Sequence, residues 1–206
     1  MKPKRQHQVL NFKYRAHRND DDDSSESVEI IGNHIYFYAD VESENCLSLI
    51  RAIRNKDAEL RAEQISRGLE DSPMTPIWLH VHSYGGDLFT AFSLADQLAM
   101  MKSPIYSVVE GIAASAATLI SMSADKRYML PSSFMLIHQL SGFVWGTHEQ
   151  FKDEMTLQNK MMDRLVQFYA NRSKVEETEL RNMLTRDYWM DADTCVERGF
   201  VDEIMR

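Results

Sequence analysis

The chain has 206 residues, 44% of them hydrophobic, which is enough for one sizeable core and makes a single domain the default. Its net charge of -8 and sequence pI of about 5.4 disfavour general binding to nucleic acid or to an anionic membrane surface. No apolar run is long enough to span a bilayer, and the basic start MKPKRQHQVLNF has no apolar stretch after it, so neither a membrane span nor a secretory leader is expected. Cys46 and Cys195 lie in no metal-ligand pattern; they predict no disulfide framework and no metal site, and they fit a reducing compartment.

Residues 1–27 differ from the rest. Lys2, Lys4, Arg5, Lys13, Arg15 and Arg18 form a basic arm, followed by the acidic run Asp20 to Asp23 and then SSES. Opposed charge blocks with little apolar content predict a flexible arm, with the folded domain over 28–206. VEIIGNHIYFYAD is rich in β-branched and aromatic residues around Gly32-Asn33, which predicts two short strands. Cys46, Leu49, Ile50 and Ile53 share one helical face, in a helix expected to end near Gly68.

IWLHVH (77–82) predicts a strand running into SYGGD. Leu88, Ala91, Phe92, Ala95 and Leu98 then mark an amphipathic helix. PIYSVVEG predicts a strand, AASAATLISMSA a short helix, and RYML and FMLIHQ two strands around Pro131. A long helix is expected over 148–171 and a shorter one near 176–184. A strand at YWM, a helix at ADTCVERG and a strand at FVDEIM close the chain. Strands alternating with helices give an α/β fold.

Four segments carry chemistry. GIAASAA (111–117) sits between a strand and a helix, so its turn can lift Ser115 off the end of a sheet, among small neighbours that let a substrate backbone approach. On its own, a small-residue helix start equally serves tight packing. SYGGD (83–87) pairs two glycines after a strand, which lets N–H groups face a ligand, with Asp87 placed to cap the next helix. His138 ends the apolar strand MLIHQL, where a histidine is as readily structural, and His80 and His82 compete with it. Asp187 precedes the strand in TRDYWM, where an isolated aspartate often only caps a turn. Together these segments supply a hydroxyl nucleophile, a base, an orienting carboxylate and backbone donors, the components of nucleophilic acyl transfer.

In this order SYGGD, GIAASAA, MLIHQL, TRDYWM and the terminal GFVDEI resemble ClpP, the family of proteolytic subunits of ATP-dependent Clp proteases, over about Val28 to Arg206. The resemblance implies a crotonase-like spiral of ββα units with a protruding handle helix at 148–171. It implies a Ser-His-Asp endopeptidase with Ser115 as nucleophile, His138 as base, Asp187 as its partner, and the Gly86 and Ala116 N–H groups as oxyanion donors. It further implies a cytoplasmic homo-oligomer of heptameric rings stacked as a tetradecamer. Unfolded polypeptides or short peptides would be the substrate, and an AAA+ unfoldase would use ATP, with no cofactor or metal in this chain itself.

The chain departs from the family pattern at several points, as a specialised or phage-encoded relative would. Tyr84 and Leu140 stand where the family has proline. His80 and Glu110 stand where its docking cleft is apolar, which implies altered docking through an unpaired carboxylate. The alternatives are a viral capsid-maturation protease of the same fold and a crotonase-type acyl-CoA hydratase or isomerase. The in-order triad counts against the hydratase.

Overall fold

A computed structural model of the chain describes residues 27–142 and 145–206. The charged arm expected over 1–27 therefore lies, but for Ser27, outside the described residues.

The elements follow the sequence closely. β1 (Val28–Ile31) and β2 (His34–Phe37) form an antiparallel hairpin around Gly32, and α1 (Ser43–Ser66) follows. β3 (Ile77–Ser83), α2 (Leu88–Leu98), β4 (Ile105–Ala114) and α3 (Ala116–Met122) come next, then β5 (Lys126–Met129) and β6 (Phe134–Ile137). α4 (His148–Ala170), α5 (Glu177–Met183), β7 (Tyr188–Asp191), α6 (Ala192–Arg198) and β8 (Glu203–Ile204) complete the chain. This is the α/β architecture expected.

The strands lie in the order β1-β2-β3-β4-β5-β8, and β6 and β7 branch from the far end of β4. All pairings are parallel except β1 with β2 and β6 with β7. Side chains of a strand alternate between faces. In β3 this sends Ile77, Leu79 and Val81, each 0% exposed, into the core, and Trp78, His80 and His82 to the other face. Burying each such aliphatic side chain stabilises the fold by about 1.5–3 kcal/mol.

α1 buries Cys46, Leu49, Ile50 and Ile53 as its periodicity requires, and its later turns are exposed. At the end of the buried face, Asp57 accepts hydrogen bonds from the N–H groups of Lys102 (3.2 Å) and Ser103 (2.7 Å), tying α1 to the loop before β4. In α4, Leu165, Val166, Phe168 and Tyr169 are buried, while Phe151, Met155 and Leu157 towards its start are exposed.

Two boundaries differ from expectation. The helix read from Ala113 begins at Ala116, because Ile112–Ala114 are held as strand by β6 and Ala113 also pairs with Ser83. Pairing with two flanking strands overrides the helix preference of alanine. The last strand is only two residues long, since the chain runs beside β5 for no more than that.

Candidate active site

β4 changes partners midway. Tyr106–Val109 pair with β5, and Ile112–Ala114 pair with β6. On its other side the register moves from Val81↔Val109 to Ser83↔Ala113, so β4 advances four residues where β3 advances two. Gly111 takes the bend at φ 79. Its N–H donates to Ser133 Oγ at 2.7 Å, and Ser133 Oγ donates on to the Val109 carbonyl at 3.1 Å. The bend carries the last residues of β4 away from β5 and onto β6, and Ser115 comes next.

Ser115 N–H donates to the Leu136 carbonyl at 2.8 Å, and the chain then turns into α3. The turn is made at φ 54 and ψ -125, and Ser115 is the one non-glycine with positive φ among the described residues. Such a backbone costs about 1–3 kcal/mol and survives only where the surroundings hold it.

One of those surroundings is the SYGGD loop. Gly85 lies against the Ser115 turn: a β-carbon on it would stand 2.5 Å from the Ala114 carbonyl oxygen and 3.0 Å from Ala116 N. Gly86 lies against Val41 on the other side, where a β-carbon would meet the Val41 carbonyl at 2.4 Å. Val41 N–H donates to the Gly85 carbonyl and Asp87 N–H to the Val41 carbonyl, both at 2.8 Å, leaving the Gly86 N–H outside this ladder. Asp87 caps α2, accepting from Thr90 N–H at 2.7 Å, as its position predicted.

His138 follows the end of β6 and is half-buried; its Nδ1 donates to the Gln139 carbonyl. Asp187 directly precedes β7, is exposed, and has no hydrogen bond or ion pair among the described residues. β6 and β7 are antiparallel with Ile137 opposite Tyr188, so one further step of that register sets His138 opposite Asp187.

Ser115, Ala116, Gly86 and His138 line one cavity of ≈ 340 Å³; Asp187 is not among its lining residues. Its lining includes the apolar Phe89, Leu119, Leu140, Leu157, Met161 and Leu165, and Glu154, Gln158 and Tyr169 of α4. Four of the five site residues read from sequence therefore share a cavity, and the fifth directly precedes β7, the strand paired with the histidine strand. Sequence reasoning missed Val41, which pins the glycine loop; no local pattern marks an isolated bridge between distant segments.

The competing histidines lie elsewhere. His80 Nδ1 donates to Glu110 Oε1 at 2.7 Å, Tyr38 Oη donates to Glu110 Oε2, and His80 Nε2 faces His34 Nδ1 at 2.9 Å. Tyr36 stacks on His80 at 4.3 Å between ring centres. Glu110 is therefore not the unpaired carboxylate expected from sequence: neighbouring strands bring it a phenol and an imidazole. Cys46 and Cys195 are free and buried, and burial pushes their thiols up to about 11 and about 12, so neither supplies a thiolate at neutral pH.

The family profile described as Clp protease matches residues 32–206. The chain belongs to the Clp protease family. It is 34% identical over 133 residues to the ATP-dependent Clp protease proteolytic subunit of Streptococcus mutans, covering 63% of this chain and 68% of that one. The subunit of the same name from Lactococcus lactis subsp. cremoris is 35% identical over 134 residues, covering 63% and 67%. Proteolytic subunit 2 of Treponema denticola is 29% identical over 137 residues, covering 66% and 68%. Membership makes the chain a serine endopeptidase of the Clp type, and decides for peptide hydrolysis over acyl-CoA chemistry. No helix among the described residues is long and apolar enough to cross a membrane.

Proposed function

We propose that Ser115 is the nucleophile of this Clp protease, with His138 as base, Asp187 as the carboxylate that orients it, and the Gly86 and Ala116 N–H groups as the oxyanion hole. The observation that carries the proposal is the strained Ser115 turn, set in one cavity with Gly86, Ala116 and His138. Ser115 Oγ attacks the peptide carbonyl as His138 takes its proton. The tetrahedral oxyanion is met by the two N–H groups. His138 then passes the proton to the leaving amine, and water, deprotonated by the same ring, releases the acyl group from Ser115. Asp187 meets the imidazole when His138 turns its Nδ1 from the Gln139 carbonyl towards β7. The reaction so written draws on no cofactor or metal of this chain.

The same proposal extends to assembly. The exposed Phe151, Met155 and Leu157 on α4 suit a helix covered by other copies, in heptameric rings stacked as a pair, with the active sites inside. Unfolded polypeptides and short peptides are the substrate, delivered in the cytoplasm by an ATP-using unfoldase. His80 and Glu110, the two positions where the family resemblance expects an apolar docking cleft, are joined by Tyr38 and His34 in one polar network, which supports altered docking of the unfoldase.

The test is labelling with a fluorophosphonate probe and mapping of the modified residue. Ser115 is expected to be labelled, and Ser115→Ala to lose both labelling and peptide hydrolysis while still assembling. Labelling at Ser83 or Ser121 overturns the assignment.

A further inference from the structure

The first turn of α3 carries a polar chain with no counterpart among the motifs. Thr118 Oγ1 donates to the Ser115 carbonyl at 2.6 Å, beside the Thr118 N–H at 3.0 Å. A threonine hydroxyl has one proton, and this one is committed to that carbonyl. Tyr169 Oη, 2.7 Å from Thr118 Oγ1, is therefore the donor in the second link. Thr118 is 0% and Tyr169 1% exposed, so the link is buried at the edge of the cavity that Tyr169 helps to line. Burial raises the Tyr169 phenol well above its ordinary value, against the opposing effect of its bond to Thr118, and so keeps the proton this link needs.

The Ser115 carbonyl belongs to the same rigid peptide plane as the Ala116 N–H. Two donors from Thr118 on that oxygen fix the tilt of the plane. Fixing the plane holds the ψ of Ser115 and sets the direction in which the Ala116 N–H points. Tyr169 comes from the end of α4, the helix whose Leu157, Gln158 and Met161 line the cavity, so the chain of bonds joins a cavity wall to the serine turn.

We propose that Tyr169 and Thr118 are positioning residues for the hydrolytic reaction: their relay clamps the Ser115 carbonyl, and thereby holds both the serine backbone and the Ala116 N–H in the geometry that stabilises the oxyanion. This rests on the proposal that Ser115 is the nucleophile. An oxyanion donor acts in the transition state and not in substrate binding, so its misalignment lowers kcat and leaves KM.

The experiment uses the full-length chain and a short fluorogenic peptide. kcat is expressed per site titrated by a fluorophosphonate whose attachment residue is mapped. Thr118→Val is expected to lower kcat about tenfold or more, with KM within about twofold. Thr118→Ser, which keeps the hydroxyl, is expected to hold kcat near the parent value. Tyr169→Phe, which keeps the packing, is expected to lose about three- to tenfold in kcat. A folded Thr118→Val with parent kcat, a Thr118→Ser as slow as Thr118→Val, or a loss confined to KM overturns the relay. If Thr118→Val does not fold, Tyr169→Phe decides alone: a lower kcat supports the relay and a parent kcat overturns it. Labelling of the parent at another serine overturns the Ser115 assignment instead, which is distinct from a parent labelled at Ser115 whose variants turn over unchanged.

Discussion

Gly85 packs directly on Ser115: a β-carbon at residue 85 would stand 2.8 Å from the serine Cβ. The glycine also sits at φ 96, which side chains rarely adopt. Gly85→Ala must therefore push the loop off the serine turn. The expected outcome is a loss of about a hundredfold in kcat/KM, since displacements of about 1 Å at a reacting centre cost that much. Peptide hydrolysis by purified, assembled Gly85→Ala checks this, and near-parent activity would mean that the loop and turn can separate harmlessly.

The step of register that sets His138 opposite Asp187 leads to a comparison of two aspartates. Asp187→Asn is expected to keep the fold and lower kcat by about 10⁴, because the imidazole would be held in the wrong tautomer. Asp191, four residues on, instead caps α6 by accepting from Thr194 N–H at 2.9 Å, and hydrogen bonds from the Thr194 side chain first and its N–H second hold its carboxyl below the ordinary value. Asp191→Asn is expected to leave kcat unchanged. Kinetics on the pair check the assignment; a reversed result transfers the orienting role to Asp191.

His34 sets a pH limit on stability. Burial first, and the neighbouring His80 second, hold its pKa below the ordinary value. The unfolded chain then takes up a proton that the folded chain refuses. Stability is full above an ordinary histidine pKa of about 6.5 and is lost as pH falls through the window below it. Melting temperatures from about pH 8 to about pH 5 are expected to fall less steeply for His34→Gln than for the parent. Equal slopes would overturn the assignment of the effect to His34.

The same cluster bears on the partner. Glu110 accepts from both His80 and Tyr38, so an apolar docking loop must cover a hydrogen-bonded polar network rather than an apolar cleft. Weak stimulation by a housekeeping unfoldase is expected, measured as degradation of a tagged folded substrate with ATP. Glu110→Met combined with His80→Tyr is expected to raise it. Robust degradation by the parent chain would show that the polar network does not hinder docking.

Much of this was legible in the chain itself. Helical faces such as Cys46-Leu49-Ile50-Ile53 and the alternation of Ile77, Leu79 and Val81 record burial directly, because the side-chain period of each element is local. The order of four short motifs likewise pointed to the family. Other features lay beyond any local pattern. The alanines before Ser115 read as helix, yet Ala113 and Ala114 are strand because β3 and β6 claim their backbone. Glu110 read as an unpaired carboxylate, yet Tyr38 lies 72 residues away in sequence and His80 lies 30 away, and both reach it. Thr118 and Tyr169, 51 residues apart, meet only when the end of α4 reaches the first turn of α3. The sequence by itself determined which residues could be buried and which could react. Only the tertiary structure decided which of them met, because strand pairing and hydrogen bonding between distant segments depend on the whole chain closing around them.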